Sequence, residues 1–163
     1  MSLMHDMGTR ALELGIPLSV QLDLTYRCNE RCVHCYLDHE DHGEMDTAEI
    51  LGLLDQLAAA GVFFLSVSGG EIFMRSDLFE ILEHARRLQF SVKLKTNAVM
   101  IRAAKARRIA ALGVASVQVS LYSHDAGTHD GITKLPGSFK RTMEGTRFLR
   151  EAGVKVEFAN VLM

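Results

Sequence analysis

Cys28-Asn29-Glu30-Arg31-Cys32-Val33-His34-Cys35 carries every cysteine of the chain, three thiols spaced C-x3-C-x2-C. An odd, clustered set is a poor disulfide framework, and its tight spacing points to a metal or cluster site. Three thiolates on one short loop can hold three irons of a cubane, since thiolate is the preferred cluster ligand. A cubane has four irons. With no other cysteine in the sequence, one iron is left open for a substrate or cofactor. The competing reading is a closed zinc knot on Cys28, Cys32, Cys35 and one of His34, His39 or His42. The cysteines alone leave both standing: a redox site, or a zinc-bearing or cluster-free α/β binding domain without redox activity.

The segments around the loop read as strand, loop, helix in repetition. Residues 18–24 form a first strand, followed by the cysteines and a polar loop over 38–44. Asp46 reads as an N-cap, with Glu49 completing a capping box. Ile50, Leu53, Leu54 and Leu57 keep helical spacing up to Gly61. Residues 62–68 form a second strand, apolar at nearly every position, as expected of a parallel strand buried on both faces. Ser76 caps the next helix, with Leu78, Ile81, Leu82, Ala85 and Leu88 on one face. Strand 91–96, helix 102–112, strand 114–121, a polar loop 123–137, helix 138–152 and strand 154–162 complete the pattern. Gly61-Val62, Gly113-Val114 and Gly153-Val154 each join a helix end to a strand start. Alternating β and α elements with right-handed crossovers give a parallel α/β sheet. No linker divides the chain, so residues 1–163 read as one domain.

Composition bounds the function. The chain has 163 residues, 48% apolar and 23% charged, with a formal net charge of −2. That balance gives no electrostatic case for nucleic acid or an anionic membrane. The apolar run at 62–67 is far too short to span a bilayer. The N-terminus lacks the charged-then-apolar layout of a signal peptide, and Met1-Ser2-Leu3 is given no functional weight. A cytoplasmic, reducing compartment is the expectation.

Gly69-Gly70-Glu71 ends the second strand, where parallel α/β folds bind ligands. Two glycines let backbone approach a ligand closely, and the Glu71 carboxylate can accept from an ammonium group. By itself the tripeptide reads more readily as a plain strand-to-helix turn with a surface Glu. Together, the three-cysteine loop after strand one and Gly-Gly-Glu after strand two resemble the radical S-adenosyl-L-methionine (SAM) superfamily. Thr25-Tyr26-Arg27-Cys28-Asn29 and Cys35-Tyr36 resemble the branch that often carries a C-terminal SPASM domain and modifies peptides, builds redox cofactors or processes haem. Thr96-Asn97, Ser120-Leu121, His129-Asp130 and Pro136-Gly137-Ser138-Phe139 fit the same branch.

The resemblance implies a partial TIM-like (βα)6 barrel, of which about four and a half βα units are present, so that the chain reads as truncated after strand five. It implies that Cys28, Cys32 and Cys35 ligate a 4Fe-4S cluster, with His34 and Tyr36 shielding it. It implies that Gly69, Gly70 and Glu71 hold the SAM amino group, that Ser120 contacts its carboxylate or ribose, and that Asn97 and Asn160 lie in the cofactor site. Lys134 or Arg141 would pair with the SAM carboxylate. The chemistry implied is reductive cleavage of SAM to a 5′-deoxyadenosyl radical that abstracts hydrogen from a peptide or a cofactor or haem precursor. A flavodoxin- or ferredoxin-type electron donor would be the partner, and the exposed edge of strand five invites self-association. Two departures stand out: Ile72 where proline commonly follows Gly-Gly-Glu, and Ala98 where glycine commonly ends Thr-Asn-Gly. A positive φ at Ala98 would be unfavourable for a residue with a Cβ.

Overall fold

Five strands pair in sequence order and all run parallel: β1 (Ser19–Asp23), β2 (Phe64–Ser68), β3 (Ser91–Thr96), β4 (Ser116–Ser120) and β5 (Val156–Ala159). The structure, a computed structural model, describes residues 3–40 and 42–161. Leu162, expected to close the fifth strand, and Met1-Ser2 lie outside them. Helices α1 (Leu3–Leu14), α2 (Thr47–Ala59), α3 (Leu78–Arg87), α4 (Ala103–Leu112), α5 (Ala126–Thr133) and α6 (Ser138–Glu151) complete the chain. Four strand-to-helix units and a fifth strand are therefore present, as the sequence pattern predicts.

The capping box at α2 forms as expected: Glu49 N–H donates to the Asp46 carboxylate at 2.9 Å, and Asp46 N–H to Glu49 at 2.8 Å. Ser76 is not the cap of α3. Asp77 occupies that position, and its carboxylate is taken by Arg75 instead of the helix N–H groups. Two helices escape sequence reading. Along α1, Leu12 and Leu14 are exposed while Ala11 is buried, so no clean apolar stripe marks it. In α5, Gly127, Thr128 and Gly131 are weak helix formers. Asp125 supplies the missing drive by accepting from Thr128 N–H at 2.8 Å, and Lys134, at φ 56°, ends the helix.

The sheet has two unlike faces. Leu22, Leu65, Val67, Val92, Leu94, Val117 and Val119 are buried, in one core with Ile50, Leu54, Ile81, Leu82, Ile109 and Leu149 from the helices. The alternate residues are mostly polar: Gln21, Asp23, Ser66, Ser68, Lys93, Lys95, Ser116, Gln118, Ser120 and Glu157, with Phe64 and Ala159 as apolar members of the same face. The second strand is thus not apolar on both sides. Serines alternate with Leu65 and Val67, because the sheet's inner face bounds a cavity and not a second helix layer. Among the described residues β5 is an outer strand, paired with β4 alone, and Phe158 is 53% exposed on it.

Ala98 adopts φ 60°, the strained conformation its Cβ disfavours. It is fully buried, and α6 explains why the turn is held. Gly145 packs so closely that a Cβ there would meet Ala98 O at 2.2 Å, and Thr142 Oγ1 donates to Asn97 O at 2.9 Å.

Candidate functional site

All three cysteines open into one cavity of about 500 Å³ at the carboxyl ends of the strands. Its wall also includes Gly69 and Gly70 from the end of β2, Thr96 and Asn97 from β3, and Ser120 from β4. The cysteine loop has no regular structure of its own, so its position depends on what holds it. Gly70 N–H donates to Thr25 O at 2.7 Å and Glu71 N–H to Arg27 O at 2.9 Å. A Cβ at Gly69 would meet Thr25 O at 2.4 Å, and one at Gly70 would meet Arg27 O at 2.3 Å. The two glycines therefore admit the backbone of the cysteine loop, a closer demand than the ligand approach read from sequence. On the far side, Arg31 N–H donates to Thr133 O at 2.9 Å and Val33 N–H to Ile132 O at 3.0 Å, docking the loop on the end of α5.

Arg75 staples both ends of the loop. Its guanidinium donates to Leu24 O at 3.0 Å and Met45 O at 3.1 Å, and forms a fork with Asp77 at 2.9 and 2.6 Å. Sequence reasoning missed this pair; an Arg and an Asp two residues apart carry no motif. Glu44 completes the anchoring by accepting from Tyr26 N–H at 3.1 Å and Arg27 at 3.2 Å.

Glu71 is fully buried, and its carboxylate does not face the cavity. It accepts from Phe73 N–H at 3.1 Å, Asn97 N–H at 2.9 Å and Thr96 Oγ1 at 2.8 Å. Burial pushes its pKa up, against the pull of these donors. The side chain ties the end of β2 to the end of β3 and is not available to an ammonium group; the lining Gly69 and Gly70 backbone is. Asn97 is set by this clamp. Its amide donates to Asn29 Oδ1 at 2.9 Å and reaches Cys28 Sγ at 4.0 Å.

Glu30, between the first two cysteines, is 3% exposed, and its Oε1 has no hydrogen-bond partner. Burial raises its pKa to about 7. Burial likewise pushes the Cys28 thiol to about 11 and Cys32 to about 12. Tyr122, which the sequence did not single out, lines the cavity beside Ser120 and Cys32, and its hydroxyl is pushed up by burial. His34 packs edge-on against Tyr122 at 4.5 Å and also lines the cavity, with its Nδ1 unpartnered. Tyr36 is largely exposed.

Other expected residues fall elsewhere. Asn160 follows the last residue of β5, is exposed, and is absent from the cavity wall, to which its neighbours Ala159 and Val161 contribute. The strand's alternation explains this. Lys134 is exposed, and Arg141 donates to Gly137 O and Pro136 O; neither lines the cavity. The cation that does is Lys95. His129 and Asp130 are structural. His129 Nδ1 accepts from Tyr122 N–H at 3.2 Å, and Asp130 accepts from Gly137 and Phe139 N–H, its pKa lowered chiefly by the bond from Phe139.

The donor set fits an iron–sulfur cluster, for which thiolate is the preferred ligand. The three thiols are free and share a roomy cavity. Among the described residues no group of three or more His, Cys, Asp or Glu side chains is arranged to hold a single metal ion. His39 and His42 are outside the cavity wall, and His42 Nε2 is engaged with Asp38 at 2.8 Å. Among the described residues no helix is long and apolar enough to cross a membrane.

Comparisons with known proteins agree with this architecture. The family model described as Radical SAM superfamily matches residues 22–163. The chain is 31% identical over 155 residues to the AdoMet-dependent heme synthase of Nitratidesulfovibrio vulgaris, covering 92% of this chain and 42% of that protein. It is 34% identical over 142 residues to the mycofactocin maturase MftC of Mycobacterium tuberculosis, covering 86% of this chain and 36% of the relative. The chain thus spans less than half the length of the curated relatives it matches. Among solved structures, Streptococcus suis SuiB bound to precursor peptide SuiA superposes with a TM-score of 0.78 at 20% identity, covering 94% of this chain and 36% of SuiB. Native anSMEcpe with bound AdoMet superposes with a TM-score of 0.74 at 18% identity, over 87% of this chain and 43% of that one.

Proposed function

The chain belongs to the radical SAM superfamily, and on that premise we propose that it forms the core of an enzyme that generates a 5′-deoxyadenosyl radical to abstract hydrogen from a substrate. The observation carrying this reading is the gathering of three free thiols with Gly69 and Gly70 around one cavity at the strand ends. Cys28, Cys32 and Cys35 would hold a 4Fe-4S cluster, leaving one iron without a protein thiolate. When bound, that cluster supplies one electron to SAM, whose C–S bond cleaves to methionine and the 5′-deoxyadenosyl radical.

This chain's own residues bind, orient and exclude water. Arg75, Glu44 and the α5 terminus fix the cysteine loop. Glu71 fixes Asn97 beside Cys28. Gly69, Gly70 and Ser120 present polar backbone and a hydroxyl to the cavity for the methionine and ribose parts of SAM. His34 and Tyr122 cover the cysteine side of the cavity with aromatic rings. A peptide substrate is supported by the SuiB complex with its precursor peptide, and a haem precursor by the heme synthase relative. The electron donor would be a flavodoxin or ferredoxin type, and the free thiols fit a reducing compartment such as the cytoplasm. The outer strand β5 offers an edge for self-association.

Anaerobic reconstitution with iron and sulfide tests the reading. A brown protein with about four irons per chain is expected. After reduction, SAM should yield 5′-deoxyadenosine and methionine, and substitution of the three cysteines by alanine should abolish both colour and cleavage. A colourless chain carrying stoichiometric zinc would refute it.

A further inference from the structure

A TIM-type barrel interior is filled by bulky branched side chains. Here the sheet face that bounds the cavity is mostly polar, and its charges are unequally matched. Lys93 donates to Glu157 at 2.6 Å, and Lys155 lies 3.3 Å from the same carboxylate's other oxygen. Asp23 accepts from the Gln21 amide at 3.1 Å and from the Tyr36 hydroxyl at 3.3 Å. Lys95 has no such neutralisation. Its Nζ donates to the neutral Gln21 Oε1 at 2.6 Å, and among the described residues it has no ion pair. Among the described residues, Lys95 connects to Asp23 through the Gln21 amide.

An ammonium group has three donors, so two remain after the bond to Gln21. Lys95 is partly buried and lines the same cavity as the cysteines. Gln118 pairs with it in the β3–β4 register and also lines the cavity, offering a further amide donor. Lys95 precedes by two residues Asn97, whose amide approaches Cys28. Two strand residues span about 6.6 Å. Lys95 thus stands one pleat repeat before Asn97 along the chain, on the wall of the cavity that also holds the thiols.

We propose, building on the functional reading above, that Lys95, with Gln118, forms a carboxylate subsite inside the cavity, so that the substrate is a molecule bearing a free carboxylate. An ammonium with no ion pair among the described residues can take a carboxylate as a charge-assisted hydrogen-bond partner, which a neutral isostere does not offer.

Equilibrium dialysis of radiolabelled glutarate against the reconstituted chain, with chloride held constant, tests the subsite. Saturable binding of one glutarate per chain is expected, with no competition from glutaramide. Lys95→Met should weaken it at least about tenfold, and Lys95→Arg should stay within about threefold of the parent. Both variants are checked for unchanged thermal melting. No saturable binding up to about 50 mM, or equal binding by Lys95→Met, would overturn the proposal. A second arm compares SAM with its decarboxylated analogue. If Lys95→Met weakens SAM but not the analogue, the carboxylate is the cofactor's and the substrate assignment fails. Iron content and SAM cleavage are measured on the same samples. Their loss with glutarate binding intact would count against the radical reading alone.

Discussion

Replacing Asp77 with asparagine isolates the charge that holds the cysteine loop at both ends. In the folded chain, the bonds from Arg75 depress the Asp77 pKa from its ordinary 3.8 to about 2. A shift of that size corresponds to about 2 kcal/mol of stability at neutral pH. Asparagine also leaves the Arg75 guanidinium, whose side chain is 6% exposed, without its fork partner. Glu44 at 3.8 Å compensates only in part. The expected loss for Asp77→Asn at pH 7 is therefore about 2–4 kcal/mol. The sign of the pH dependence follows from the depressed pKa. The contribution is fully present above the unfolded-state value near 4 and is lost as pH falls toward about 2. Urea unfolding of both proteins at pH 7, 5, 4 and 3 should show a constant gap that narrows below about pH 4. Pairing Asp77→Leu with Arg75→Met should cost less than either change alone, since no unpaired charge remains. A gap under about 0.5 kcal/mol at pH 7, or one unchanged down to pH 3, would refute the staple.

Gly70→Ala should lose iron on reconstitution while the circular dichroism of the sheet and helices persists, because the new Cβ displaces the Arg27 backbone and not the core; full iron binding would remove the close-packing argument. Glu71→Ala should destabilise by about 2–4 kcal/mol in urea, by stranding Phe73 N–H, Asn97 N–H and the Thr96 hydroxyl, with Glu71→Gln costing less. Equal losses for the two variants would point to packing alone. Light scattering after size exclusion should find self-association at high concentration that Phe158→Lys reduces, and a monomer throughout would dismiss the β5 edge.

Much of this was legible in the sequence because the signals are local. Three thiols within eight residues, a capping box at Asp46 and Glu49, and glycine-to-valine junctions each depend on near neighbours along the chain. The α/β repeat and its parallel sheet follow from periodicity, which survives without knowledge of tertiary contacts. The polar inner face was also present as alternation in Gln21 and Asp23, Ser66 and Ser68, Lys93 and Lys95, but short strands with apolar neighbours masked it. Helix α5 was hidden because its support comes from Asp125 and from docking against the cysteine loop, not from propensity.

The sequence by itself determined which atoms could bind a cluster and that they follow the first strand of a parallel fold. Tertiary structure alone decided what the neighbouring residues do with that opportunity. Glu71, the obvious cavity acid on paper, is buried as a clamp between two strand ends, and Gly69 and Gly70 make room for the cysteine loop. Asn160 is carried outside by one step of strand alternation, and Lys95 is carried in. Side-chain direction along a strand reverses at every residue, and register fixes which neighbour meets which. A linear motif records residue type and spacing, but not the face on which each side chain emerges or the partner waiting there.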